Sequence, residues 1–216
     1  MKSERLIKRL AVFILLFAIL LTTLFSCKEK EEAVKISEMT QEELEECVVL
    51  CEYKDIEISL GERSKEEAIL SYIDKNSTVK SYPAGTVDYY LEQLKEQYRY
   101  YAEEADMSYE EMLNELGEDN FTMQAEAKRL VKKDLIFEAI RRREDITLTE
   151  EEKSKFFDKY VEKYAESYGY SEDYVREELS ELVYESMLYD KTVEFLIINN
   201  SFIENETDTE SESVSE

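Results

Sequence analysis

The sequence predicts a mainly α-helical protein, several helices preceded by one short N-terminal strand. Three observations predict it. Apolar residues recur at three- and four-residue steps through most of the stretch from Asn120 to Asn200, the period of a helix with a covered face. Glycine and proline, which interrupt helices, number only four and one among 216 residues. Ser or Thr followed three residues later by Glu, the pattern of a capping box, stands before several of the apolar runs.

In chain order, Lys2, Arg5, Lys8 and Arg9 precede an uncharged run from Leu10 to Ser26, the layout of a secretory signal. The run ends at Leu24-Phe25-Ser26-Cys27, which resembles the lipobox of bacterial lipoproteins. The resemblance implies a signal peptide over residues 1–26, Cys27 as the lipid-carrying residue, and anchorage at the extracytoplasmic face of the cell membrane. The alternative is an uncleaved membrane helix at the short end of the roughly 17–25 residues that span a bilayer. Either way the remainder is expected outside the cytoplasm. Residues 27–46 read as a polar tether, with a short helix compatible with Gln41 to Glu46.

The main domain is expected over residues 47–203. It opens on "CVVLCEYKDIEISLGE", where Val48, Val49 and Leu50 favour strand and Ile56, Ile58 and Leu60 alternate with polar residues. Ser64 and Glu67 then cap a helix with the stripe Ala68, Ile69, Tyr72 and Ile73. Pro83, the single proline, marks a boundary, and beyond it Thr86 is expected to cap a helix carrying Tyr90, Leu91, Leu94, Tyr98, Tyr101 and Ala105. Ser108 and Glu111 cap a short helix that Gly117 ends, and Asp119 or Asn120 starts the next. From Leu135 to Ile140 the apolar positions spread almost round the wheel, so that helix is covered on several sides. Thr149 and Glu152 cap a helix ended by Gly169, and Ser171 caps one predicted to run through Ile197; the three are expected to pack together. Residues 204–216 hold six acids and no base and read as a disordered acidic tail.

"AEAKRLVKKDLIFEAIRRREDITLTEEE", "YVEKYAESYGYSEDYVREEL" and "YDKTVEFLIINN" resemble the C-terminal, SurA-like chaperone domain of bacterial trigger factor, and the likeness extends back to Tyr82. Leu50, Tyr53, Lys54, Ile56 and Ile58 resemble that family's strand leading into its isomerase domain. The resemblance implies an irregular multi-helix chaperone domain with extended arms. It also implies two losses. Only 21 residues lie between Leu60 and Tyr82, too few for an isomerase domain of the FK506-binding type, and no G-F-R-x-G-x-x-P ribosome-docking loop occurs. The chain is therefore expected to be no enzyme and to meet no ribosome.

With no histidine anywhere, His-based acid–base catalysis, Ser-His and Cys-His pairs and most zinc sites are excluded, and no cofactor or metal is expected. Cys47 and Cys51 could form a disulfide or a redox pair: on one strand they would lie about 13 Å apart at roughly 3.3 Å per residue, beyond disulfide reach, and on a helix they would face the same side, but they read best as packing residues. A net charge of −25 argues against a nucleic-acid partner. The clustered carboxylates, such as Glu150-Glu151-Glu152, read as solvated charge at helix N-termini. The basic run Lys128, Arg129, Lys132, Lys133 and Arg141 to Arg143 reads as a source of intramolecular ion pairs.

Sixteen tyrosines are the informative feature. Tyr89, Tyr90, Tyr98, Tyr100 and Tyr101 fall on one predicted helix, and Tyr160, Tyr164, Tyr168, Tyr170 and Tyr174 on or beside another. A ring with a polar tip can sit half wet and hold varied apolar peptide. The same rings can instead cover helix packing. The candidate peptide-binding set is Tyr90, Tyr98, Tyr101, Phe156, Tyr160, Tyr164 and Tyr168, for unfolded or nascent exported polypeptides as partners. Two other functions stay open: an isomerase-family protein, and a binding lipoprotein or adaptor subunit of a membrane assembly.

Overall fold

The structure, a computed structural model, describes residues 33–204. The expected signal peptide, Cys27, the first part of the tether and the acidic tail beyond Glu204 lie outside the described residues.

The tether is shorter than its composition implies, because residues 33–46 belong to the folded domain. Ile36, Met39 and Leu44 interrupt the polar stretch, and all three are buried in the main core. After a 3-10 turn, Ile36–Glu38, comes helix α1, Gln41–Cys47, started by a full capping box between Thr40 and Glu43.

The stretch expected to form one strand forms two, β1 (Val48–Val49) and β2 (Glu57–Ser59). Asp55, in the left-handed conformation at φ 58°, turns the chain between them. Helix α2, Lys65–Asn76, follows the expected Ser64–Glu67 box and buries Ala68, Ile69 and Ile73. Strand β3, Thr78–Val79, pairs antiparallel with β1, opposing Val79 to Val48.

Helix α3, Thr86–Glu104, starts one residue earlier than expected. Gly85 is its N-cap at φ 69°, and the Thr86 hydroxyl donates instead to the Val34 carbonyl at 2.9 Å, tying the N-terminal segment to the helix start. Helix α4, Tyr109–Leu116, has its Ser108–Glu111 box. Helix α5, Asn120–Glu144, is capped by Asp119, whose carboxylate accepts from the Phe121 and Thr122 amides at 2.8 Å.

Helix α6, Glu150–Tyr168, ends as expected at Gly169, whose φ of 70° suits a residue without a Cβ. The single helix expected after Ser171 is bent into α7 (Glu172–Glu178) and α8 (Ser180–Ile198) at Leu179. The bend lets both segments lie against α6, with Val175 and Val183 fully buried there. Strand β4, Ser201–Ile203, then returns to pair in parallel with β2, Phe202 opposite Ile58. Asn200 pins that return: its side chain accepts from the Ile56 amide at 3.0 Å and donates to the Tyr53 and Leu196 carbonyls at 2.8 and 2.6 Å.

Apolar burial divides the described residues into three cores. The main core gathers α1, α2, the short strands, the C-terminal half of α5 and the C-terminal half of α8, around Leu135, Ile140 and Leu196. A second core lies among α3, α4 and the N-terminal half of α5, around Leu94, Met123 and Ala127. A third lies among α6, α7 and the N-terminal half of α8. The three C-terminal helices are therefore no single bundle: α5 and α8 each run from the body into a different arm.

The Thr149–Glu152 box also fastens the second arm. Besides the Thr149 amide at 2.8 Å, the Glu152 carboxylate accepts from Lys191 Nζ on α8 at 2.6 Å, which holds its pKa down at about 2. Thr149→Ala should therefore lower stability by about 1 kcal/mol, the usual value of an N-cap, read as a lower urea midpoint with unchanged slope.

Candidate binding surface between the two arms

In the first arm, Leu91, Leu94, Tyr98 and Tyr101 make the stripe of α3 that packs on α5. Tyr98 on that stripe is 4% exposed and closes the arm's core. Tyr101 is half-buried beside it, its hydroxyl accepting from Gln97 at 3.0 Å. Tyr100 is two residues from Tyr98, about 200° round the helix, and is 59% exposed.

The second arm repeats the pattern. Tyr164 is 7% exposed and hydrogen-bonds to Ser186 across the α6–α8 seam. Tyr160, half-buried, donates to Asp190 at 2.6 Å. Phe156 is exposed on the first half of α6, with Lys155 Nζ 5.0 Å from its ring centre. Tyr168 is the last residue of α6, and its side chain lies outside the described residues. Past Gly169, Tyr170 and Tyr174 are both exposed, their ring centres 5.1 Å apart.

Of the candidate rings, Tyr98 and Tyr164 thus serve as core, and Tyr160 as a seam between helices. Among the described residues the outward rings are Phe156 and five that the candidate set omits, Tyr82, Tyr100, Tyr170, Tyr174 and Phe121, the last the most exposed at 79%. The stripe itself carries the signal that separates them. Tyr98 is in phase with Leu91 and Leu94, whereas Tyr100 is out of phase and Tyr170 follows the glycine that ends a helix.

The two arms approach each other at Tyr100, Tyr101 and Tyr170. Tyr170 of the second arm lies within electrostatic reach of Tyr100 and Tyr101 of the first, and partial burial pushes the Tyr101 and Tyr170 hydroxyls above their ordinary pKa. Tyr100 and Tyr101 pack on each other with ring centres 5.9 Å apart.

At the root the arms are joined by polar and aromatic contacts. Phe137 of α5 stacks on Tyr189 of α8 at 5.1 Å, and Lys133 Nζ sits 4.6 Å over the Tyr189 ring. Arg141 donates to Thr192 at 3.1 Å and lies 3.6 Å from Glu185 and 3.7 Å from Glu138. Tyr90 of α3 donates to Asp134 of α5, so the candidate ring at this position is held by its hydroxyl at the junction. Burial raises the Asp134 carboxyl to about 6, against the downward pull of the Tyr90 hydrogen bond and of Lys133 and Arg141.

Cys47 and Cys51 are free, each meeting a serine of the β3 side, Ser81 at 3.8 Å and Ser77 at 3.4 Å. Among the described residues no group of three or more Cys, Asp or Glu is placed to hold a metal ion, and no helix is long and apolar enough to cross a membrane.

The family model of the bacterial trigger factor protein C-terminus matches residues 58–198 of this chain. The match begins in β2 and ends with α8, so it takes in both arms and most of the main core. No curated protein and no solved structure matches the chain.

Proposed function

Because this chain belongs to the family of the bacterial trigger factor C-terminus, we propose that it is a holdase, a chaperone that keeps unfolded or newly exported polypeptides from aggregating. The observation that carries the reading is the set of outward rings, Tyr100, Tyr170 and Tyr174, where two separately cored arms approach. Each ring offers an apolar face without a fixed hydrogen-bond pattern, which suits clients of varied sequence and modest affinity. Because Tyr98 and Tyr164 support the arms from inside, client contact falls to the exposed rings. The net charge of −25 favours basic clients and repels acidic ones.

On this reading Cys27 carries the lipid, the domain works at the extracytoplasmic face of the cell membrane, and no peptide-bond isomerisation is catalysed, since the chain is too short between Leu60 and Tyr82 for an isomerase domain. The chain from Lys28 onward should suppress aggregation of a chemically unfolded basic protein. The triple variant Tyr100→Ser, Tyr170→Ser, Tyr174→Ser should need about tenfold more protein for the same effect, equivalent to ~1.4 kcal/mol of binding, with an unchanged unfolding midpoint. Undiminished suppression by the folded variant would remove the arm tips from the reading. Turnover in a prolyl-peptide isomerisation assay, or recovery of one stoichiometric membrane partner in place of many clients, would replace it.

A further inference from the structure

The N-terminal segment is fixed to the domain at one end of the first arm. The Val34 amide donates to the Ala84 carbonyl at 3.2 Å, the Thr86 hydroxyl donates back to Val34, and Ile36 and Met39 are buried behind them. The chain therefore joins the domain at the start of α3. Tyr100 lies fourteen residues further along that helix, about 21 Å away at 1.5 Å per residue. On the lipoprotein reading, five residues lie between Cys27 and Ala33, six peptide steps that reach at most about 22 Å when fully drawn out. A leash that short keeps the point where the chain enters the domain close to the headgroups. Val34 and Tyr82, an aliphatic and an aromatic side chain, are 39% and 38% exposed on the face where the chain joins, and Tyr is a residue that sits well at a lipid–water boundary.

From these positions we infer that the face carrying Val34, Tyr82 and Ala84 is the membrane-facing surface of the protein, which sets the arm tips on the side away from the bilayer. The inference rests on the lipid attachment at Cys27 that the proposed function includes. It adds an orientation: clients are met at the distal end, and the root of the arms is held at the lipid.

The chain contains no tryptophan, so one introduced residue reports alone. Tyr82→Trp and Tyr100→Trp, each made in the full lipid-bearing chain, are placed in phosphatidylcholine vesicles with a nitroxide on the headgroup. Emission from Tyr82→Trp should fall at least twofold on vesicles and recover in detergent, while that from Tyr100→Trp stays within a tenth of its detergent value. Equal quenching at both positions, or stronger quenching at position 100, with lipid on Cys27 verified by mass, overturns the orientation and leaves the holdase reading standing. A Cys27 without lipid in the membrane fraction overturns the anchorage and the orientation together.

Discussion

Replacing Leu135 with alanine should lower the stability of the whole domain by about 2–5 kcal/mol, the range for deleting a fully buried leucine side chain. Leu135 has no exposed surface and stands in the main core on α5, the helix that also walls the first arm through Ala127 and Leu130. Around it α5 is buried without a break from Leu135 to Ile140, so the surrounding helices have little freedom to collapse into the space left behind. The measurement is the urea midpoint together with amide hydrogen exchange. Protection should fall in α2, α3, α5 and the end of α8 alike. Val183→Ala is the companion: Val183 is equally buried but lies in the third core, so faster exchange should stay within α6, α7 and the start of α8. A uniform loss of protection from Val183→Ala would mean that the second arm and the body unfold as one unit, and that the division into cores has no energetic meaning.

The helices of this chain are written locally, which is why the sequence alone locates them. Ser64 with Glu67, Ser108 with Glu111 and Thr149 with Glu152 each satisfy helix-end amides within four residues, and all three boxes are formed. What composition hides depends on distant partners. Ile36, Met39 and Leu44 look like scattered apolar residues in a tether until α5 supplies the surface that covers them. Strands of two or three residues have no usable alternation, and β4 finds its partner more than 140 residues back, with Asn200 bonding to Ile56 across a separation of 144. The same limit governs the candidate site. Periodicity separates Tyr98 from Tyr100, because in-phase rings go inward. That Tyr90 is tied down by Asp134, 44 residues away, has no local signature, and neither has the approach of Tyr170 to Tyr100.

The Tyr90–Asp134 contact leads to the second large effect, a stability that rises as the solution is made mildly acidic. Asp134 sits where α3, α5 and α8 meet, facing Tyr90, Lys133, Arg141 and Glu185, and burial is the strongest influence on it, raising its pKa from 3.8 to about 6. Between those two values the folded chain keeps a proton that the unfolded chain has released. Stability therefore falls as pH rises through this window and stays low above it, the reverse of the behaviour of a salt-bridged carboxylate. A gap of that size between the folded and the unfolded carboxyl is worth about 3 kcal/mol, less to the extent that water reaches the group. Asp134→Asn keeps the oxygen that accepts from Tyr90 and removes the charge. The variant should be more stable than its parent by up to about 3 kcal/mol above pH 7, and equal to it near pH 4. Glu144 and Glu152 have lowered pKa values and weaken the fold as pH falls, but they are common to both proteins and cancel in the difference. Urea titrations of the pair from about pH 4 to pH 8 give that difference directly. Parallel curves across the range would show that the charge at Asp134 is already compensated by Lys133 and Arg141, and that the junction of the arms is an ion cluster indifferent to protons.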